Sequence, residues 1–131
     1  MRSQVLFYFF VLFIFSSCGD FFNRSYHLGG NYYLVESEGS KGYGIYFKLA
    51  NGDFIGRIST RISKYCVVGD TLIIVGVSNS SKAMDYYFID ATKDHEYAEI
   101  ANVVSGPFSK GYLQNKYKRG LQLQFKKPRD N

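Results

Sequence analysis

The chain has few of the residues from which metal, disulfide and nucleophile sites are built. It has only two cysteines and two histidines, and His27, Cys66 and His95 show no paired spacing typical of a zinc site. No serine stands in a Gly-x-Ser-x-Gly motif, and the glycine-rich run 39–44 lacks the pattern of a phosphate-binding loop. We therefore expect no catalytic, cofactor-binding or metal-binding residue.

The acidic segment 90–99 is the strongest remaining candidate for a cation site. It lacks the alternating acidic positions and the central glycine of an EF-hand loop. His95 lies between Asp94 and Glu96, but neighbours on an extended chain point to opposite faces. We expect a charged hairpin end whose side chains lie in water.

The apolar run 5–15 is too short to cross a bilayer, which takes roughly 20 residues. It follows one arginine and precedes two serines and Cys18, an order typical of a secretory signal peptide. A cysteine at the cut resembles the signal of bacterial lipoproteins, although Phe15 stands where those signals usually have leucine. The alternatives are a plain secretory signal and an uncleaved anchor.

The lipoprotein resemblance implies that Cys18 carries lipid and becomes the first residue of the mature protein. It divides the chain into a signal peptide (1–17), a lipidated tether (18–27) and a single β-rich domain (28–131). It also implies attachment to the outer membrane, facing the periplasm, with display at the cell surface as the alternative. A net charge of +5 is too small to indicate a nucleic-acid partner.

Strand signals recur along the domain, with glycine-containing turns between them. Strands are predicted at 32–36, 44–49, 53–59, 62–68, 72–75 and 84–90, with 96–100 pairing back on the last of these and 121–126 closing the domain. Asn51-Gly52 predicts a hairpin with a type I′ turn, and the apolar run 72–75 predicts a central strand covered on both faces.

One helix is predicted, at residues 110–119, between the cap Ser109 and the stop Gly120. Its inward-facing side chains would be Phe108, Tyr112 and Leu113. The resulting fold class is mainly β, a β-dominated α+β domain. We expect roughly seven strands in an antiparallel meander that forms a small barrel or sandwich, with one short helix near the C-terminus.

Three features of the composition predict which side chains are buried and which are exposed. Cys66 lies in an apolar strand and should be a buried, inert thiol without a disulfide partner. The chain has 12 tyrosines and 12 phenylalanines but no tryptophan. Tyrosine suits pleated surfaces and interfaces, so tyrosine-rich sheet surfaces are the expected contact area. The basic residues near the C-terminus are expected to form a solvated helix face and tail: Lys110, Lys116, Lys118, Arg119, Lys126, Lys127 and Arg129.

Four short motifs occur in an order that resembles a family of short bacterial lipoproteins known only as a domain of unknown function. They are LGGNYYL at 28–34, GDTLII at 69–74, DYYFID at 85–90 and GPFS at 106–109. The resemblance implies no activity and no catalytic residue.

The expected function is a non-catalytic accessory or binding role at the membrane surface, with a protein as partner. The alternatives are a small inhibitor of an envelope-attacking enzyme, which would present a rigid loop at 37–42 or 78–82, and a hydrolase of envelope polymer. An enzyme would gather titratable side chains with shifted pKa values in a cleft.

Overall fold

The computed structural model describes residues 24–37, 42–117 and 122–128, within which eight strands form two four-stranded antiparallel sheets. The strands are β1 (Ser25–Gly29), β2 (Tyr32–Ser37), β3 (Gly42–Lys48), β4 (Phe54–Ile58), β5 (Lys64–Val68), β6 (Leu72–Ser78), β7 (Met84–Asp90) and β8 (Val104–Phe108). A 3₁₀ turn (Ala91–Lys93) and helix α1 (Ile100–Val103) separate β7 from β8, and helix α2 (Lys110–Lys116) follows β8. The predicted β-dominated meander is confirmed.

The two sheets are sequential meanders, β1-β2-β3-β4 and β5-β6-β7-β8. They share one hydrophobic core, so the fold is a small sandwich rather than a barrel. The buried members of this core come from both sheets, from the β4–β5 connection and from α1: Tyr32, Leu34, Tyr43, Ile45, Phe47, Ile58, Ile62, Ile73, Val75, Ile89 and Val103.

Strand β1 begins inside the segment that the sequence assigns to the tether. Residues 25–27 pair with β2, where Tyr26 stands opposite Leu34. The Tyr26 ring packs against Tyr43, with 6.0 Å between the ring centroids. These residues are therefore part of the first sheet. A strand this short, with only alternate residues half-buried, does not stand out in the sequence.

The hairpin at Asn51 and Gly52 is present, but its turn is not type I′. That turn needs a positive φ at both central residues, and only Gly52 has one, at +92°. The amide of Gly52 donates to the carbonyl of Leu49 at 3.0 Å, and the Asn51 side chain accepts from the amide of Asp53 at 2.9 Å. The asparagine side chain thereby stabilises a longer loop.

The second sheet differs from the prediction after β7. The expected strand 96–100 is wrong, because this stretch forms a turn that leads into α1. The fourth strand is instead β8, which pairs with β7 and contains Gly106 and Pro107. Proline removes a backbone donor and is tolerated on an edge strand. The Gly-Pro pair, which the sequence predicts to interrupt the chain before the helix, therefore lies in the edge strand of the second sheet.

Strand β6 is covered on both faces, as predicted. Ile73 and Val75 lie in the core between the sheets, whereas Ile74 belongs to a second cluster on the outer face of the second sheet. The buried members of this second cluster are Cys66, Ile74, Tyr86, Phe88 and Leu113.

Helix α2 and the C-terminal segment 122–128 cover the second cluster. The predicted cap is confirmed, because the Ser109 hydroxyl accepts from the amide of Tyr112 at 3.2 Å. Leu113 is buried, but Tyr112, which was predicted to face inward, is 43% exposed. The predicted last strand is reduced to a single bridge between Lys126 and Tyr65. No helix in the described ranges is both long and apolar enough to span a bilayer.

Candidate functional site

Three polar side chains meet in the interior, where the first sheet approaches the connection that leaves β7. Arg57 donates to both carboxylate oxygens of Asp94, from Nε to Oδ2 at 2.8 Å and from Nη2 to Oδ1 at 2.6 Å. The Tyr32 hydroxyl donates to Oδ2 at 2.6 Å. The side chains of Arg57 and Asp94 are 2% and 0% exposed. This Asp94 cluster (Tyr32, Arg57 and Asp94) ties β2 and β4 to the β7–β8 connection.

A bulge in the β3–β4 ladder accompanies the inward direction of Arg57. The register shifts between Ile45 and Tyr46, and such shifts redirect side chains. As a result, Arg57 and its neighbour Ile58 are both buried. The guanidinium lies over the Phe47 ring, 5.3 Å from the centroid. The sequence signal that could have indicated this site is a lone arginine in an otherwise apolar strand.

The charges and hydrogen bonds of the Asp94 cluster hold segments of the chain together. Burial, reinforced by the hydrogen bond to Asp94, raises the pKa of Tyr32 far above its ordinary value of 10. The hydroxyl therefore stays protonated at neutral pH and donates its hydrogen bond to the carboxylate of Asp94. Both oxygens of the Asp94 carboxylate accept internal hydrogen bonds, so the arrangement favours holding the chain together rather than acid–base chemistry.

The prediction that the side chains of 90–99 all lie in water is wrong for Asp94. It is right for Glu96 and Glu99, which are exposed. Among the residues that the structure describes, no group of three or more His, Cys, Asp or Glu side chains is arranged to hold a metal ion.

Asp90 is the N-terminal cap of the 3₁₀ turn at residues 91–93. Its carboxylate accepts from the hydroxyl and the amide of Thr92, at 2.5 and 3.0 Å, and lies 3.5 Å from the ammonium of Lys93. The Thr92 hydrogen bonds, with Lys93 adding a smaller effect, lower the pKa of Asp90. This carboxylate caps the turn.

Residues 95–99 form a turn above the Asp94 cluster, and we call this turn together with Ile100, the first residue of α1, the Tyr97 turn. The His95 carbonyl accepts from Nη2 of Arg57 at 3.2 Å and from the amide of Ala98 at 3.0 Å. The His95 ring accepts from the amide of Tyr97 at 3.2 Å. Tyr97 is 84% exposed and Ile100 is 52% exposed. An aromatic and an aliphatic side chain thus face solvent above a buried ion pair.

The sheet tyrosines are less available than the sequence suggests. Three are buried (Tyr32, Tyr43 and Tyr86) and five are half-buried (Tyr26, Tyr33, Tyr46, Tyr65 and Tyr87). Among the described residues, the two exposed tyrosines are Tyr97 and Tyr112, and both lie outside the sheets. The exposed tyrosine side chains of the described residues therefore lie in the β7–β8 connection and in α2, not on the sheet surfaces where the sequence predicts a contact area.

Cys66 is free and buried, as predicted. Burial raises the pKa of its thiol, against smaller lowering effects from the backbone near Gln124 and from Lys126. A thiol with a raised pKa is protonated at neutral pH and is a poor nucleophile.

Helix α2 presents aromatic and basic side chains together. The rings of Phe108 and Tyr112 stack with centroids 4.5 Å apart and planes 14° apart. The Lys116 ammonium lies 4.9 Å from the centroid of Phe88 and 5.8 Å from that of Tyr112.

A groove of about 450 Å³ runs between α2 and the C-terminal segment. Lys64 and Lys110 line it together with apolar and aromatic side chains, and the Lys64 ammonium lies 4.7 Å from the centroid of Phe125. This side of the molecule combines ammonium groups with aromatic rings.

The β6–β7 loop is ordered by Asn79. Its side-chain oxygen accepts from the amides of Ser81 and Ala83, at 3.1 and 3.0 Å, and from the Ser81 hydroxyl at 2.7 Å. Lys82 has a positive φ of 61°. The loop that the sequence proposed at 78–82 is thus a defined, solvent-facing turn, whereas residues 38–41 of the other proposed loop lie outside the described residues.

Cys18, the predicted lipid-attachment residue, also lies outside the described residues, together with the whole of the predicted signal peptide. Comparisons with protein-family models, with curated proteins and with solved structures found no match for this chain.

Proposed function

We propose that this chain is a lipid-anchored protein of the bacterial envelope, fastened through Cys18 to the outer membrane on its periplasmic side. Its role is non-catalytic: the β sandwich presents a binding surface for another protein. The N-terminal sequence supports the anchor. The resemblance to short lipoproteins of unknown function is part of the same proposal.

The observation that supports a binding role is the Tyr97 turn. Large aromatic side chains dominate the energy of many protein interfaces, and binding costs less when the side chains that make contact are already ordered. Tyr97 is the most exposed large hydrophobic side chain in the described part of the chain. Arg57 of the Asp94 cluster donates a hydrogen bond to the His95 carbonyl in this turn. A partner would therefore meet a preorganised surface.

Two measurements on protein from the native host test the anchor. Mass spectrometry should find an N-terminal peptide that begins at Cys18 and carries acyl chains. The Cys18→Ser chain should leave the membrane fraction and enter the soluble fraction. An unmodified N-terminus at another residue would contradict the anchor.

Site-directed photo-crosslinking in the host envelope tests the binding surface. A photoreactive residue at position 97 should give a defined adduct with one partner, and Ile100→Ser in the same chain should reduce its yield several-fold. The matched control places the probe at position 112, on the other exposed tyrosine. Equal adduct patterns from both positions, or none from position 97, would contradict the Tyr97 turn as the contact.

The ordered β6–β7 loop favours inhibition of an envelope-attacking enzyme as the second candidate function. In that case the purified protein should slow degradation of cell-wall polymer by an added hydrolase, and Ser80→Arg at the loop tip should remove the effect. The same assay without added hydrolase tests the third candidate function, hydrolysis of envelope polymer. Turnover of polymer by the protein alone would identify it as an enzyme.

A further inference from the structure

Positive charge is concentrated in one stretch of the chain. Residues 100–129 contain seven lysines and arginines and no aspartate or glutamate. The remaining residues contain nine basic and eleven acidic side chains. The excess of positive charge therefore belongs to the part of the chain that includes β8, α2 and the C-terminal segment.

The fold places part of this charge on one outer layer. Leu113 of α2 and Phe125 of the C-terminal segment both pack on the second cluster, outside the second sheet. Lys110 and Lys116 of α2 are exposed on this layer. Lys64 adds a third ammonium from β5, because it lies over the Phe125 ring.

Aromatic side chains accompany these lysines. Tyr112 is 43% exposed, stacks on Phe108 and lies 5.8 Å from the Lys116 ammonium. Tyrosine rings are enriched at the boundary between lipid headgroups and acyl chains, and lysines bury their stems while their ammonium groups stay at the polar surface.

We propose that this basic aromatic face (Lys64, Phe108, Lys110, Tyr112 and Lys116) lies against the anionic phospholipid headgroups of the membrane. Anionic lipid attracts each lysine near its surface. An anionic polysaccharide would also attract the lysines, but it lacks the apolar interior into which the exposed ring of Tyr112 can enter. Phospholipid therefore accounts for both parts of the face.

The membrane contact rests on the proposed function only in that phospholipid must be within reach of the domain. Vesicle binding can be measured whether or not Cys18 is acylated. Failure of the anchor and failure of this face are therefore distinguishable.

Lysine reactivity is the direct test. The full-length protein is mixed with phosphatidylcholine vesicles, with or without phosphatidylglycerol, and labelled with an amine-reactive reagent that is read out by mass spectrometry. Lys110 and Lys116 should be protected several-fold by anionic vesicles, and less by neutral ones. Lys82 and Lys93, at the two ends of β7, serve as internal references and should label equally in all samples.

Variants separate the two parts of the face. Lys110→Gln with Lys116→Gln should weaken binding to anionic vesicles about thirtyfold, on the order of fivefold per lysine, and this loss should shrink at high salt. The matched control, Lys82→Gln with Lys93→Gln, removes the same charge and should bind as the parent chain does. Tyr112→Ser should weaken binding at both low and high salt.

Three results would overturn the proposal. They are equal losses in the two lysine pairs, protection that does not depend on anionic lipid, and protection by a soluble anionic polysaccharide that matches or exceeds the protection by vesicles. The last result would identify an envelope polymer as the ligand instead.

Discussion

At the scale of single residues, the features that matter most are charges and polar groups removed from water. Arg57 and Asp94 are buried as a doubly hydrogen-bonded pair. Removing one partner of such a pair leaves the other charge buried without compensation, which costs far more than the pair contributes when intact. The Asp94 cluster therefore makes the fold sensitive to substitutions that a surface carboxylate would tolerate.

Asp94→Ala should lower the free energy of unfolding by about 3–5 kcal/mol, because it leaves the Arg57 guanidinium buried and unpaired. Denaturant unfolding measures the loss. The control Asp90→Ala removes a partly exposed cap of the 3₁₀ turn and should cost about 1 kcal/mol. Similar losses in the two variants would contradict a buried ion pair. Replacing both partners, as Arg57→Met with Asp94→Leu, should recover part of the stability.

Cys66 should be unreactive in the folded protein. In the Cys18→Ser chain it is the only thiol, and burial raises its pKa. A thiol-reactive dye should modify it at least on the order of a hundredfold more slowly in native buffer than in denaturant. Rapid modification under native conditions would show that the segment covering the second cluster opens readily.

At the scale of elements, the connections after β7 carry most of what the sequence does not predict. The Tyr97 turn, α1 and β8 occupy the stretch in which a strand and a chain break were predicted. Helix α2 has only seven residues, too few to be stable alone in water. Its place depends on packing against the second cluster.

Leu113→Ala tests this dependence. Leu113 is 5% exposed and is the buried residue of α2. Its truncation should cost roughly 2–5 kcal/mol, near the lower end because a short surface helix can shift to fill the space. The neighbouring exposed side chain gives a control, since Gln114→Ala should change stability by less than about 0.5 kcal/mol. Denaturant unfolding midpoints of the two variants measure both losses. Equal midpoints would contradict the dependence of α2 on the packing of Leu113.

At the scale of the whole molecule, the protein has three layers: the first sheet, the second sheet, and the outer layer of α2 and the C-terminal segment. Strand β6 lies in the middle layer and packs against both of the others. β6 contributes Ile73 and Val75 to the core between the sheets and Ile74 to the second cluster. Several tyrosines are enclosed in these layers, and burial raises the pKa of Tyr32, Tyr43 and Tyr117.

The raised tyrosine pKa values predict loss of stability in alkali. The folded state holds these phenolic protons more tightly than the unfolded chain does. The stabilisation is therefore complete below the ordinary tyrosine pKa of about 10 and is lost as the pH rises above it. Urea unfolding at several pH values should show a decline that starts near pH 10.

Tyr32→Phe provides the control for this alkaline decline. It removes a hydrogen bond to a charged acceptor and should cost about 1.5–3 kcal/mol at neutral pH. The decline above pH 10 should then be shallower than in the parent chain. An unchanged decline would mean that Tyr32 does not contribute to it.

The sequence by itself determined the six strands from β2 to β7, the Ser109 cap, the buried thiol and the central strand covered on both faces. These features follow from local periodicity and local hydrogen bonding, which six or seven consecutive residues can specify. The N-terminal pattern at Cys18 is likewise a local signal.

Only the tertiary structure decided where Arg57 and Asp94 meet, because 37 residues separate them in the chain and the contact depends on a bulge and on the packing of the two sheets. It also decided that Tyr97 and Tyr112, the two exposed tyrosines in the described part of the chain, lie outside the sheets. Burial of a side chain depends on what covers it from elsewhere in the chain, and no local pattern contains that information.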